Sequence, residues 1–347
     1  MSGPLLSYFK WPLIVTVIGL VLSAWLGWLH EGSLGGVLSF LLIGAILASL
    51  EIALSFDNAV VNANRLQDMT EIWRRRFLTW GILIAVFGMR IVFPLAVVSV
   101  AARIGPFEAL SLAIARPDDY AHIIEEAHLS ISAFGGTFLM MVALTYFVDE
   151  SKDIHWIKRL ESRLSTCGAI RGFETALVLV AVTGVSLFLA EGDDAQFLFG
   201  ALFGLLTFCI VDVVGHVLDS GAAVRAGAQG GLGAFLYLEV IDASFSFDGV
   251  IGAFALTTNL FLIAVGLGIG AMYVRSFTIM IVERQTLAEF RYLEHGAFYS
   301  VFFLSLALFA HAVVPVPEVV TVLVGVLFIG AALVSSNHHR KTVRRSA

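Results

Sequence analysis

Apolar runs close to twenty residues long recur from one end of the chain to the other, among them LIVTVIGLVLSAWLGWL near the start and VVTVLVGVLFIGAALVSS near the end. The hydrocarbon core of a bilayer is about 30 Å thick, and roughly 20 apolar residues in a helix cross it. No water reaches the backbone there, so a crossing segment must satisfy its own N–H and C=O groups, as a helix does. Composition agrees. Of 347 residues, 59% are hydrophobic and 14% charged, with a mean hydropathy of +0.90. Soluble domains sit nearer half apolar and a quarter charged. The chain reads as an all-α polytopic membrane protein.

Ten spans are predicted, at about 11–30, 36–63, 78–102, 130–149, 173–191, 196–218, 231–256, 260–282, 297–314 and 318–336. The run after Lys10 is long for a signal peptide and lacks a small-x-small cleavage site, so it is read as a retained span. Basic residues sort by side. Arg65 with Arg74 to Arg76, the segment from Lys152 to Arg171, Arg225, Arg284 with Arg291, and Arg340 to Arg345 fall in one alternate set of connections. The other set holds only Arg103 and Arg116. By the positive-inside rule both termini are expected in the cytoplasm, in a bacterial inner membrane. Cys167 and Cys209 are too few and too isolated for a disulfide frame or a thiolate metal site.

Two of the spans carry acid. EIALSFDNAV holds Glu51, Asp57 and Asn58, and EVIDASFSFDGVIGAF holds Glu239, Asp242 and Asp248. An offset of about 191 residues pairs Asp57 with Asp248, Glu51 with Asp242 and Ser55 with Ser246. Each acidic span precedes an arginine-bearing one, with Arg90 in FGMRIVF and Arg275 in AMYVRSF. Copies five spans apart run antiparallel, which predicts an inverted-topology repeat with halves at 1–195 and 196–347 and a substrate site where the copies meet.

A carboxylate at the bilayer centre costs about 2.5–3.5 kcal/mol. Two arginines against five acids leave negative charge to be protonated, hydrated or matched by a bound cation. Glu239, Asp242 and Ser246 share a helix face, as do Glu51, Ser55 and Asn58. Asp57 and Asp248 lie off those faces in a regular helix, so a break near SFD is expected, with Gly249 and Gly252 after the second motif. Carboxylate, amide and hydroxyl oxygens suit a hard divalent cation such as magnesium, calcium or manganese. Zinc or a soft metal would call for thiolate or imidazole.

The same residues resemble the TerC superfamily of bacterial membrane proteins. EIALSFDN fits its first motif from Glu51 to Asn58, and EVIDASFSFDG fits the second from Glu239 to Asp248, with Gly249 where serine is usual. AFGGTFLMMVALTYFVDESKDIHWI and YLEHGAFYS are similar to a branch known only as an integral membrane domain of unknown function. The resemblance implies manganese export or metal homeostasis, some relatives having been named for tellurite resistance. It implies metal contacts from Glu51, Asp57, Asn58, Glu239, Asp242 and Asp248, supported by Ser55, Ser246, Arg90 and Arg275.

The expected function is therefore export of a divalent cation, manganese first, by alternating access with ion or proton exchange. The chain is expected not to be an enzyme and to need no organic cofactor, its partners being the lipid bilayer and a metal ion, with no nucleic acid. Two other classes stand beside it. A membrane scaffold for metallation or stress resistance would hold a structural cation. An intramembrane aspartyl protease would pair two aspartates across helices, but its G-x-G-D context is missing. Asp212 and His216, at i and i+4, form a candidate relay. DESKDIHWIKRLESRL reads as an amphipathic interfacial helix.

Overall fold

A computed structural model describes residues 5–67, 69–81, 84–150, 152–219, 231–314 and 316–346. Among them there is no strand. In chain order the helices are α1 (Leu5–Glu31), α2 (Leu34–Leu54), α3 (Phe56–Gln67), α4 (Glu71–Arg76), α5 (Phe93–Ala101), α6 (Pro106–Ala115), α7 (Pro117–Val148) and α8 (Lys158–Cys167). There follow α9 (Phe173–Ser186), α10 (Asp193–Asp219), α11 (Leu232–Leu256), α12 (Leu260–Glu283), α13 (Thr286–Glu289), α14 (Leu293–His311) and α15 (Glu318–Ser346). Two π-helical stretches, Phe77–Gly81 and Ile84–Val92, stand between α4 and α5.

Seven of the described helices are long and apolar enough to cross a membrane. Large apolar side chains such as Val17, Phe203 and Leu327 stand exposed along such elements, which suits contact with lipid and not with water. The protein is an all-α polytopic membrane protein. The other three predicted spans also fall on helix. Within 78–102 the described residues hold the two π-helical stretches and α5, residues 173–191 hold the short α9, and residues 231–256 hold α11 with its three acids.

Two compact units divide the chain: Met1–Ala59, Thr70–His128 and Phe245–Met280 form one, and Val60–Met69, Leu129–Ser244 and Ile281–Ala347 the other. Each draws on both predicted halves of the sequence, and the division falls inside both acidic helical segments, α3 and α11.

In the first unit α1 and α2 form a hairpin that turns at Gly32, whose φ of +61° only glycine adopts freely. Ser33 caps α2 by accepting the Gly36 N–H at 3.0 Å. Small residues then let helices close up. A Cβ on Gly27 would lie 2.4 Å from the Gly36 carbonyl oxygen, and one on Gly266 would lie 2.6 Å from Leu47 Cβ. Leu47, Val250, Ala253, Ile263 and Leu267 form the core where α2, α11 and α12 meet.

The expected break in the first acidic span occurs at a single residue. Ser55, with φ −103° and ψ 13°, separates α2 from α3 while its N–H still reaches the Glu51 carbonyl. The second acidic span has no such break: α11 is continuous through Gly249 and Gly252. Both glycines keep ordinary negative φ, and Gly249 serves as space instead, for a Cβ there would lie 2.9 Å from Glu51 Oε2. The π-helical turns upstream of α5 carry Arg90. Pro94 follows, and its missing N–H cannot take the Arg90 carbonyl in an α-helical ladder.

In the second unit α7 and α10 touch backbone to backbone. Cβ atoms added at Gly200 and Gly204 would lie 2.2 Å from the Ser130 carbonyl oxygen and 2.4 Å from that of Phe134. Gly296 on α14 packs as tightly on Ala332 and Phe328 of α15. Replacing Gly204 by leucine is therefore expected to cost about 3 kcal/mol or more, read as a clear drop in the melting temperature of the purified protein. Gly184→Leu, where a Cβ meets open space, is expected to melt as the wild type does.

Candidate functional site

Glu51 sits in the last turn of α2 and is 3% exposed. Arg90, itself 4% exposed, donates from Nη2 to Glu51 Oε1, and Ser55 donates its hydroxyl to the same oxygen at 3.1 Å. The carboxylate is held in a slot left by Gly249 and Gly270. Pairing of this kind answers the cost of a buried charge, and removing one partner of such a pair costs about 3–5 kcal/mol. Asp57 and Asn58 follow at the start of α3, both 6% exposed, with the Asn58 N–H donating to Asp57 Oδ1 at 2.9 Å. Asn58 Oδ1 is buried and accepts no hydrogen bond.

In the second unit α11 presents Glu239 and Asp242 one turn apart, close enough for Asp242 to act on Glu239 electrostatically. Asn62 of α3, 3% exposed, donates from Nδ2 to Asp242 Oδ1 at 2.7 Å, and its own Oδ1 is left buried without a partner. Glu239 differs from Glu51 in kind. It is 8% exposed, and among the described residues neither of its buried carboxylate oxygens has a hydrogen-bond partner. Asn62 was missed by the sequence reading, although Asn58 and Asn62 at i and i+4 were a visible sign of a shared polar face.

The supporting and relay residues separate. Arg275 is half-buried, its Nε without a hydrogen-bond partner. The side chains of Ser246, Asp248 and His216 lie outside the described residues. Asp212 on α10 is exposed and acts electrostatically on Tyr237 of α11. Among the described residues no group of three or more His, Cys, Asp and Glu side chains is gathered as metal ligands.

A second polar assembly lies in the same unit where an interfacial helix was expected. Among the described residues of that segment only those from Lys158 onward are helical, as the start of α8, and Glu161 there is 1% exposed. The physical reason is a full set of donors. Backbone N–H groups of Trp156 and Ile157 donate to Glu161 at 3.0 Å each, and the Tyr299 hydroxyl does so at 3.0 Å. His295 Nε2 lies 3.3 Å from Glu161 Oε2, and His155 Nδ1 lies 3.6 Å from it. Burial alone would push the carboxyl up, but the hydrogen bonds from His295, Ile157 and Tyr299 outweigh it and hold Glu161 at about 2.

Asp149, Glu150, Lys152, Asp153 and Ile154 border a cavity of about 690 Å³ beside this assembly, with Arg65, Glu174, Tyr237, Glu294 and His295 on its other walls. Lys152 donates to the Tyr146 carbonyl at 3.0 Å within it. Burial pulls its ammonium down to about 8, against the pull of Glu294, Glu161 and Asp149. The bordering helix ends are ones the basic-residue pattern assigns to a single side.

Because the Glu161 carboxyl is depressed in the fold, its stabilisation is complete above about pH 4.5 and is lost as pH falls toward 2. Glu161→Gln is expected to melt below the wild type at pH 7, by a deficit on the order of 3 kcal/mol. That gap should close on acidification below about pH 4.5. Melting curves of both proteins in detergent between pH 7 and pH 3 check this.

A family described as a protein of unknown function (DUF475) matches residues 56–343. No curated protein and no solved structure matches the chain.

Proposed function

The chain belongs to the DUF475 family, and from that premise we propose that it is a secondary transporter that exports a divalent metal cation, manganese first, by alternating access in exchange for protons. The observation that carries the reading is Glu239. A carboxylate inside a membrane helix, buried, beside a second carboxylate and without a donor on either oxygen, must be neutralised by a proton or by a cation. A site that can take either is what exchange requires. Asp242 and the open Oδ1 of Asn62 supply further oxygen, the donor set of a hard divalent ion. The TerC-like pairing of SFDN with SFDG supports the same reading.

Glu51 has a different part in this proposal. Its charge is answered by Arg90, so it fixes the geometry of the first acidic helix and leaves the second acidic helix to meet the ion. A scaffold that only stores a cation would bind manganese without moving it, and the two readings separate in a flux assay.

In proteoliposomes loaded with a manganese-quenched dye, the wild type is expected to carry Mn²⁺ down an opposing proton gradient. Glu239→Gln is expected to lose that flux by at least about tenfold, since a ligating carboxylate contributes at least as much as a group that only orients a ligand. Equal flux through Glu239→Gln and wild type contradicts the proposal, and binding without flux in the wild type favours the scaffold.

A further inference from the structure

His295 on α14 is 2% exposed and borders the cavity of the second unit. Its Nε2 lies 2.8 Å from the Ile154 carbonyl oxygen and 3.3 Å from Glu161 Oε2. Both are acceptors, so Nε2 carries the hydrogen, and the neutral ring keeps its lone pair on Nδ1. Among the described residues Nδ1 is buried and has no hydrogen-bond partner. An imidazole oriented by a carbonyl and a carboxylate on one nitrogen, with the other left open, is poised to receive a proton.

We propose that His295 Nδ1 is a second binding site for the exchanged protons, in addition to Glu239, in the cavity bordered by Glu294 and Lys152. The proposal rests on the transport reading above and names a further site for its protons. The step adds one proton to the Nδ1 lone pair and one positive charge to the ring, with no other bond made or broken. These groups face the ring or its cavity. Glu161 of α8 and Glu294 beside it bring carboxylates, and Tyr146 of α7 stands edge-on at 5.6 Å. Lys152 of the α7–α8 connection and Arg65 of α3 bring positive charge, with Asp149 and His155 nearby. Tyr292 just before α14, Tyr299 on α14 and Trp156 of the α7–α8 connection close the aromatic surround. Glu161 thereby becomes a positioning residue: it fixes the tautomer that leaves Nδ1 open.

The test uses the full chain in proteoliposomes with a pH dye inside, Mn²⁺ as the only added metal, and His295→Gln. The glutamine amide can still donate toward Ile154 but offers no titrating nitrogen. The expected result is loss of the Mn²⁺-driven proton signal with Mn²⁺ binding, measured by calorimetry, unchanged. A wild-type proton signal in His295→Gln overturns the assignment. In wild-type protein labelled with ¹⁵N-histidine, the His295 Nδ1 resonance is expected to move to its protonated position on acidification without metal. A resonance that stays unprotonated overturns the assignment even where the variant fails to fold. A wild type that moves no Mn²⁺ overturns the transport reading and this coupling with it, whereas Mn²⁺ flux with an unchanged proton signal in the variant overturns His295 alone.

Discussion

A carboxylate taken out of water has to be answered by something, and this chain answers its buried acids in three different ways. Glu51 is met by a guanidinium and a hydroxyl. Glu161 is met by two backbone N–H groups, a phenol and an imidazole. Glu239 is met by no donor on either oxygen. The first two are arrangements that hold structure together, because their charge is stabilised by fixed protein groups. The third is where, in the proposed function, a mobile ion would be met.

The glycines tie this electrostatics to the fold. Gly249 and Gly270 open the slot in which the Glu51 carboxylate reaches Arg90. A serine at 249, usual in the proteins that this motif resembles, would place its Cβ against Glu51 Oε2. The departure at 249 is thus explained by packing around a neighbouring acid. The same economy of volume brings α7 and α10 together at Gly200 and Gly204. In hydrocarbon the drive to associate comes from close packing more than from apolar burial.

Much of this was legible in the sequence. Long apolar runs fixed the class, and Glu51, Asp57 and Glu239 could be picked out as buried carboxylates because charge in a membrane helix is rare enough to be informative. The Arg90 partnership followed from charge balance. What stayed hidden depended on three-dimensional detail. A helix broken at one serine and an unbroken one carrying two glycines look alike in the pattern of residues. The Glu161 assembly unites residues 154–161 with 295 and 299, a distance along the chain that no periodicity spans. Amphipathicity alone did not reveal the burial of Glu161, since an acid satisfied by four donors and an acid facing water occupy the same place in a helical wheel.

The central claim is that the unanswered charge at Glu239 is the place of the transported ion. Anomalous scattering from crystals soaked in manganese, collected at the manganese edge, tests it most directly. The account predicts an anomalous peak in contact with the Glu239 and Asp242 carboxylates and Asn62 Oδ1. A well-ordered soaked crystal with manganese bound only elsewhere, and Glu239 unaccompanied, would contradict it.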